Sequence, residues 1–351
     1  MNWMIYGANG YTGQLVAAEA VRRGMQPILA GRNRAAVEAL AEAHGLPFRV
    51  FDLADMPDDA LSDVAIVLHC AGPFSETCAP MLEACLEGGV HYLDITGEIS
   101  VFEHAWKQHD RARKADVVVC PGAGFDVVPT DCLAATLVEA LPAATHLTLA
   151  FEAGGGPSRG TARTSIEGLG QGGRIRRDGE LVTVPLAWKD RSIPFQQGER
   201  AAVTIPWGDV FTAWVSTGVP NIEVYLSMPP ATIARLRRLR PFQPALRWGW
   251  VQAWMKKRVD ARVTGPDDAR REKTGVEVWG EAVSADGRRA VASMRGPNGY
   301  DITVTASLGL VDALLAGPRE GGYYTPSLLM GSSYAASLPG VEQDSVQLIN
   351  D

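Results

Sequence analysis

The sequence predicts an α/β chain, with an N-terminal doubly wound parallel sheet followed by a second, α+β domain built on a mixed sheet. Three observations predict it. Through the first 120 residues, short apolar strands alternate with helical segments. A glycine-rich turn, Gly7-Ala8-Asn9-Gly10-Tyr11-Thr12-Gly13, joins the first strand to the first helix. Beyond residue 140 the pattern changes to alternating strands with fewer helices between them.

The first strand, 2–6, contains Trp3-Met4-Ile5-Tyr6 and runs into that turn. Glycines there let the turn close and a pyrophosphate approach, while the free N–H groups and dipole at the helix start favour its negative charge. The spacing is G-x-x-G-x-x-G and not G-x-G-x-x-G, so context gives it weight. An Ala/Val-rich helix follows, then Arg22-Arg23-Gly24 and a second strand, 27–30, which completes a β-α-β unit. Where an NAD site wants an acid about 20 residues on for the ribose 2′-OH, this chain has Gly31-Arg32-Asn33-Arg34. A guanidinium there suits a 2′-phosphate through charge-assisted bonds, so NADP(H) is the expected cofactor. The competing reading makes Arg32 and Arg34 a solvated helix start.

Strands are expected next at 48–52, 64–70, 90–94 and 116–120, and ligands of such a sheet lie at the carboxyl ends of its strands. Ala71-Gly72-Pro73-Phe74 after the fourth strand is the expected passage for the nicotinamide ribose, or else a plain strand-to-helix turn. Tyr92-Leu93-Asp94-Ile95-Thr96-Gly97-Glu98 ends the fifth with two carboxylates and a hydroxyl that could orient a substrate, relay a proton or cap a helix. After the sixth, Gly122-Ala123-Gly124-Phe125-Asp126 allows close backbone approach, Pro129-Thr130-Asp131 starts a helix, and Asp126 reads as a substrate anchor, a proton donor or an N-cap.

The second domain is expected to carry strands at 145–151, 181–185, 203–206, 211–216 and 223–228, then others near 274–283 and 288–295. Thr325 and Pro326 fit the start of a last helix that packs back on the first domain. The expected boundaries are 1–125 with 318–351 for the dinucleotide-binding domain and 126–317 for the substrate and dimerisation domain, with 341–351 a tail.

A net charge of −7 argues against nucleic-acid binding. The five cysteines form no C-x-x-C pair and no zinc spacing, so no metal is expected and the thiols read as buried. The first strand begins by residue 3, leaving no room for a signal peptide, and no apolar run of about 18 residues suggests a span; a cytoplasmic chain is expected. Gly156-Pro157-Ser158-Arg159-Gly160 matches a nucleophile elbow as text, but all six histidines precede it, against the order Ser, acid, His that a hydrolase needs. Ser158 reads as a helix cap. No tyrosine has a lysine four residues on, which removes the short-chain dehydrogenase pair. His104 and His109, five apart on one expected helix, read as surface residues.

GANGYTG, LAGRN, HCAGPF, YLDITGE and PGAGFDVVPTD, in this order and spacing, resemble the saccharopine dehydrogenase-like family, in particular the bacterial branch with the trans-acting enoyl reductases. The similarity covers the first 135 residues and extends weakly to Ser158-Arg159-Gly160-Thr161 and the closing Gly-Gly-x-x-Thr-Pro. The resemblance implies a Rossmann domain binding NADP(H), a second domain that covers the cleft and often mediates dimerisation, and reduction of C=N or C=C bonds. GFDVVPTD stands where saccharopine-forming enzymes carry a Gly-Asp-rich loop and departs from their sequence.

For an activated alkene, charge grows on an oxygen, and Thr96, Thr130 or Arg163 are candidate donors. For an imine, Glu98, Asp126 or Asp131 would favour the iminium. A carboxylate-bearing substrate would use an arginine from Arg159, Arg163, Arg174, Arg176 or Arg177. Residues 231–262 carry nine basic residues and one acid, a +8 segment that leaves −15 on the rest, together with Trp248, Trp250 and Trp254. That segment reads either as peripheral membrane or lipid-partner contact, suited to a lipid or polyketide substrate, or as tryptophans packed in the core or a dimer contact under Arg/Lys stems. A third reading of the whole chain is an NADP(H) sensor without turnover.

Overall fold

The computed structural model describes residues 2–263 and 265–350. Along the chain run β1 (Asn2–Tyr6), α1 (Tyr11–Arg22), β2 (Ile28–Gly31), α2 (Arg34–His44), β3 (Phe48–Val50), β4 (Val64–His69), α3 (Phe74–Gly88), β5 (His91–Asp94), α4 (Ile99–Trp106), α5 (His109–Lys114), β6 (Val118–Cys120) and α6 (Val128–Ala140). Next come β7 (Ala144–Ala153), α7 (Arg159–Gln171), β8 (Gly173–Arg177), β9 (Glu180–Val184), β10 (Asp190–Phe195), β11 (Gly198–Thr204), α8 (Asp209–Thr217), β12 (Asn221–Ser227), α9 (Pro230–Arg238), α10 (Gly249–Arg262) and α11 (Asp268–Glu272). The chain closes with β13 (Val276–Ser284), β14 (Arg289–Gly296), α12 (Gly299–Ala316), β15 (Gly322–Tyr323), α13 (Pro326–Met330), β16 (Glu342–Gln343) and β17 (Gln347–Ile349).

Two compact units result: Met1–Val128 with Tyr300–Met330, and Pro129–Gly299 with Gly331–Asp351. The first holds a sheet in the order β15-β6-β5-β4-β1-β2-β3, every pairing parallel. Its inner strands are mostly buried apolar runs, as a sheet between two helical layers requires, and the edge strand β3 is half-buried. Strand order reverses between β1 and β4, and ligands of doubly wound sheets collect at the carboxyl ends beside that reversal. Short amphipathic helices suit this layering: α1 buries Gly13, Val16, Ala17 and Ala20 on one face.

The second unit is built on a 10-stranded sheet, β10-β11-β12-β7-β13-β14-β16, with β17 on β14, β8 on β12 and β9 on β8. The β12–β7 pair is parallel and its neighbours antiparallel, so the sheet is mixed as expected. Helix α6 packs against it where β13 has no side chain: a Cβ at Gly280 would meet Leu137 Cδ1 at 2.6 Å. Ala150, Ile193, Phe195, Tyr225 and Trp279 form a core cluster in the same unit.

Several elements differ from the sequence reading. Residues 211–216 are helical, within α8, where Asp209 through Ala213 are buried in succession and no alternation survives; Gly218 in the left-handed region, φ 72°, ends the helix. Residues 331–351 lie in the second unit, because β16 and β17 pair with β14; the segment expected to trail as a tail is strand. Residues 300–317, placed in the second domain by the sequence reading, lie in the first unit together with 318–330; there β15 extends the parallel sheet beside β6 and α12 supplies a helix buried along Ile302, Val304, Ala306, Leu308, Leu310 and Val311. By length and composition α12 is apolar enough to cross a membrane, with mean hydropathy 1.2, a run the sequence reading passed over; 50% of it is buried in the protein, as in a core helix. His104 and His109 fall on separate helices, and His109 Nδ1 accepts the Tyr323 N–H at 3.1 Å, tying α5 to β15.

Candidate functional site

The glycine turn is shaped by close approaches that only glycine allows. Gly7 has φ 84°, and a Cβ there would lie 2.6 Å from the Ala71 nitrogen, so the turn after β1 and the loop after β4 touch through the missing side chain. A Cβ at Gly13 would lie 2.4 Å from the Gly7 carbonyl oxygen, which presses α1 onto the turn. Gly10 is less confined, with Gly7 O at 3.2 Å. It is the N-cap of α1, no side chain caps that end, and no acid stands in the first turn. Such a helix start is suited to a pyrophosphate. Tyr11 packs edge-on against Tyr300 at 4.9 Å, and Ala8 is buried.

Beside the turn, a Cβ at Gly31 would meet Asn9 Oδ1 at 3.1 Å, so the loop carrying Arg32 lies against Asn9. Arg32 and Arg34 are exposed. Burial and Asp52 push the Tyr6 phenol up to about 12, and Arg32 opposes them, which puts its charge near the end of β1. Asn33 plays a structural part, since its side chain accepts the Ala36 N–H at 3.2 Å and caps α2.

At the carboxyl edge of β4 and β5, Glu98 fastens the loop Ala71-Gly72-Pro73-Phe74. Its two carboxylate oxygens accept the N–H groups of Phe74 at 3.0 Å and Ser75 at 2.8 Å, capping α3 from the loop after the neighbouring strand β5. Thr77 donates to the Ala71 carbonyl at 2.6 Å, closing the loop from its other side. Asp94 is buried at the end of β5 and accepts from Thr96 N and Gly122 N, both at 2.9 Å, and from the Tyr92 hydroxyl at 2.8 Å. Burial outweighs these bonds and raises its carboxyl to about 6. Thr96 in turn accepts the Glu98 N–H at 3.0 Å. Asp94 and Thr96 thus set the path from β5 to Glu98.

Asp126 sits in this arrangement, half-buried, with Oδ2 2.9 Å from where a Cβ of Gly97 would be. Desolvation, reinforced by the Glu98 charge, raises its carboxyl from 3.8 to about 7. A group so placed exchanges a proton near neutral pH. The loop that carries it is held by Thr303 of α12, which accepts the Phe125 N–H at 2.9 Å and fills the space beside Gly124.

Thr130 and Arg163 lie in the second unit. Thr130 is buried and donates to Asp209 at 2.6 Å, and Arg163 is half-buried on α7. Ser158 caps α7 through the Thr161 N–H. Of the other candidate arginines, Arg159 donates to the Val263 carbonyl at 3.3 Å. Arg176 is buried, donates to the Val210 carbonyl at 2.7 Å and stacks 4.2 Å above Trp214, so its charge is committed to the fold.

Sequence reasoning missed His69, Tyr300 and Thr303. His69 is buried at the end of β4, with Nε2 3.0 Å from Thr77 Oγ1 and the Phe74 ring edge-on at 5.4 Å. The Thr77 proton goes to Ala71 O, so Nε2 carries the ring proton and Nδ1 faces inward as an acceptor with no protein partner. Burial drops the ring to about 3 and keeps it neutral. A histidine closing an otherwise apolar strand was the available signal. Tyr300 and Thr303 had none, because only tertiary packing brings α12 to this edge. No group of three or more His, Cys, Asp or Glu positioned for a metal occurs among the described residues.

Residues 3–120 match a family model described as the saccharopine dehydrogenase NADP binding domain. The chain is similar to the saccharopine dehydrogenase-like oxidoreductase of Bos taurus, 30% identical over 150 residues that cover 36% of this chain and 35% of the relative. It is also similar to a putative trans-acting enoyl reductase of Mycobacterium tuberculosis, 30% identical over 138 residues covering 36% of this chain and 33% of the relative. These matches span about a third of each relative's length. Among solved structures, the apo histidine-tagged saccharopine dehydrogenase (L-Glu forming) from Saccharomyces cerevisiae matches with a TM-score of 0.64 over 99% of this chain and 100% of that one, at 12% identity, a likeness of fold. Over residues 3–120 the chain thus matches a nicotinamide-dinucleotide-binding domain of the saccharopine dehydrogenase type, and its likeness in sequence to these oxidoreductases lies in that N-terminal part.

Proposed function

We propose that the protein is an NADP(H)-dependent oxidoreductase that delivers a hydride to an activated C=C or C=N bond, with Asp126 as the proton donor. The carrying observation is the Asp126 carboxyl, poised at about 7 at the carboxyl edge of the sheet whose first turn is the glycine cradle. The fit to the cofactor is supported by the uncapped start of α1, its lack of acids, and the exposed Arg32 and Arg34 beside it. Bound NADPH supplies the hydride; the protein positions the acceptor and manages the proton. Gly7, Gly10 and Gly13 with the α1 N–H groups would hold the pyrophosphate, Arg32 and Arg34 the 2′-phosphate, and Ala71–Phe74 the nicotinamide end. Glu98 keeps that last loop in place and sustains the protonated form of Asp126. With an enoyl acceptor, Asp126 would give its proton to the carbon next to the carbonyl, and solvent would reprotonate the carboxylate.

The mycobacterial relative bears the name of an enoyl reductase and the yeast fold neighbour that of a saccharopine dehydrogenase; the first favours the alkene, and the sequence departure after β6 points the same way. NADPH oxidation followed with a panel of enoyl thioesters and imines tests the reading. Turnover of one class is expected, with Asp126→Asn lowering kcat by about 10²–10⁴ and leaving NADPH binding in place. Binding without turnover across the panel, or an unimpaired Asp126→Asn, would overturn it.

A further inference from the structure

We propose that Trp248, Trp250 and Trp254, with Lys257 and Arg258, form a face in the second unit that docks the protein on an anionic lipid surface. The sequence left these tryptophans open to a core position, and the structure removes that reading: they are 55%, 71% and 56% exposed. Phe242, in the earlier of two turns that precede α10, is 63% exposed. Indole rings at such exposure, close together on a water-soluble surface, mark a contact site.

Their arrangement gives the face its character. The Trp248 and Trp250 rings lie 6.0 Å apart. Trp250, Trp254 and Arg258 follow at intervals of four along α10, so they share one side of the helix. The Arg258 guanidinium stacks on the Trp254 ring at 4.7 Å, which sets a cation directly beside the apolar stripe. Lys257 and Arg262 are exposed next to it. Indoles prefer the depth of lipid headgroups, and basic side chains meet the phosphates there.

Charge selects the occupant. Residues 231–262 carry +8 and the rest of the chain −15. Arg237 of that segment pairs with Asp190, whereas Lys257, Arg258 and Arg262 stand exposed beside the tryptophans, so an anionic membrane is attracted to this side of a chain that is negative elsewhere on balance. A symmetric contact with a second copy would set this patch against itself, like charge on like. The face belongs to the second unit and its action is binding, so the proposal stands apart from the chemistry of the cofactor turn.

Sedimentation of the full chain with vesicles of phosphatidylcholine alone, or mixed with phosphatidylglycerol, at low and at physiological salt tests it. Binding to the mixed vesicles only, weakening with salt and with tryptophan emission shifted to the blue, is expected. Lys257→Ala with Arg258→Ala should lower the affinity about 25-fold, roughly fivefold for each basic group. Trp250→Ala with Trp254→Ala should lower it at least roughly tenfold. Both pairs are surface changes and should keep the wild-type melting temperature. No sedimentation at low salt, or binding unchanged in both variants, overturns the proposal; so does a loss of oligomer mass in the tryptophan variant with no vesicle binding by the parent, which assigns the face to a second copy.

Discussion

Glu98, in the loop after β5, holds Ser75 at the start of α3: its carboxylate Oε2 accepts the Ser75 N–H at 2.8 Å while Oε1 takes the Phe74 N–H at 3.0 Å. One side chain therefore fixes the start of α3 and places a negative charge beside Asp126, whose carboxyl it helps to raise.

Glu98→Gln separates these two effects. Glutamine can accept only one of the two N–H groups, so a loss of about 1–2 kcal/mol of stability is expected. It also removes the charge, and the Asp126 carboxyl should then titrate below 7. Carbon-detected NMR of the Asp126 carboxyl reads this without any substrate. An unmoved titration would mean that desolvation alone sets its acidity.

Asp126 should also mark the stability of the protein. Its folded value, about 7, lies above the ordinary 3.8. The folded state therefore favours the neutral acid, and the stability this contributes is complete below about pH 4 and lost as pH rises through about 7. Asp126→Asn should be more stable than the parent at pH 8, by a few kcal/mol at most, and equal to it at pH 4. Denaturant midpoints at the two pH values measure it; an equal difference at both would contradict the assigned shift.

Much of this edge was legible in the sequence because its signals are local. A glycine turn between strand and helix, arginines after β2 and carboxylates after β5 and β6 all follow from chain order and strand periodicity. What escaped depends on pairings between distant residues. Glu98 and Asp126 were both singled out as chemical groups, but Phe74 and Ser75 lie 24 and 23 residues from Glu98, and no periodicity announces that bond. The same holds for Thr303 on Phe125, 178 residues apart, and for residues 342–349, whose strand character comes from β14. Residues 211–216 misled for the opposite reason: β-branched and aromatic residues read locally as strand, while burial in succession made a helix the better fit.

Asp94 should be a positioning residue and not a chemical one. Asp94→Ala would leave Gly122 N, Thr96 N and the Tyr92 hydroxyl buried without this acceptor, at a cost of about 3 kcal/mol or more. Asp94→Asn keeps an acceptor and should recover most of the melting temperature. Equal destabilisation by both would make the charge, and not the bonding, the important property.

The three glycines of the turn should respond differently. Gly13→Ala places a methyl 2.4 Å from a backbone oxygen, and Gly7→Ala combines a 2.6 Å clash with a left-handed φ. Each should cost about 1–3 kcal/mol and displace the turn. Gly10→Ala meets only Gly7 O at 3.2 Å, so the free protein should melt within a few degrees of the parent. A Gly10→Ala protein as unstable as the other two would contradict the turn as described.

Cofactor choice should rest on Arg32. It is exposed beside the turn, its neighbour Asn33 is committed to the α2 cap, and Gly31-Arg32-Asn33-Arg34 after β2 includes no acid. A 2′-phosphate gains charge-assisted bonds there worth about 1.5–3 kcal/mol, or roughly a tenfold to hundredfold preference. NADPH should therefore raise the melting temperature more than NADH at equal concentration. Arg32→Ala should erase the difference by weakening NADPH alone, since NADH has no 2′-phosphate to lose. If both cofactors stabilise the parent equally, or Arg32→Ala weakens both alike, the guanidinium is serving the turn in general and the 2′-phosphate is read elsewhere.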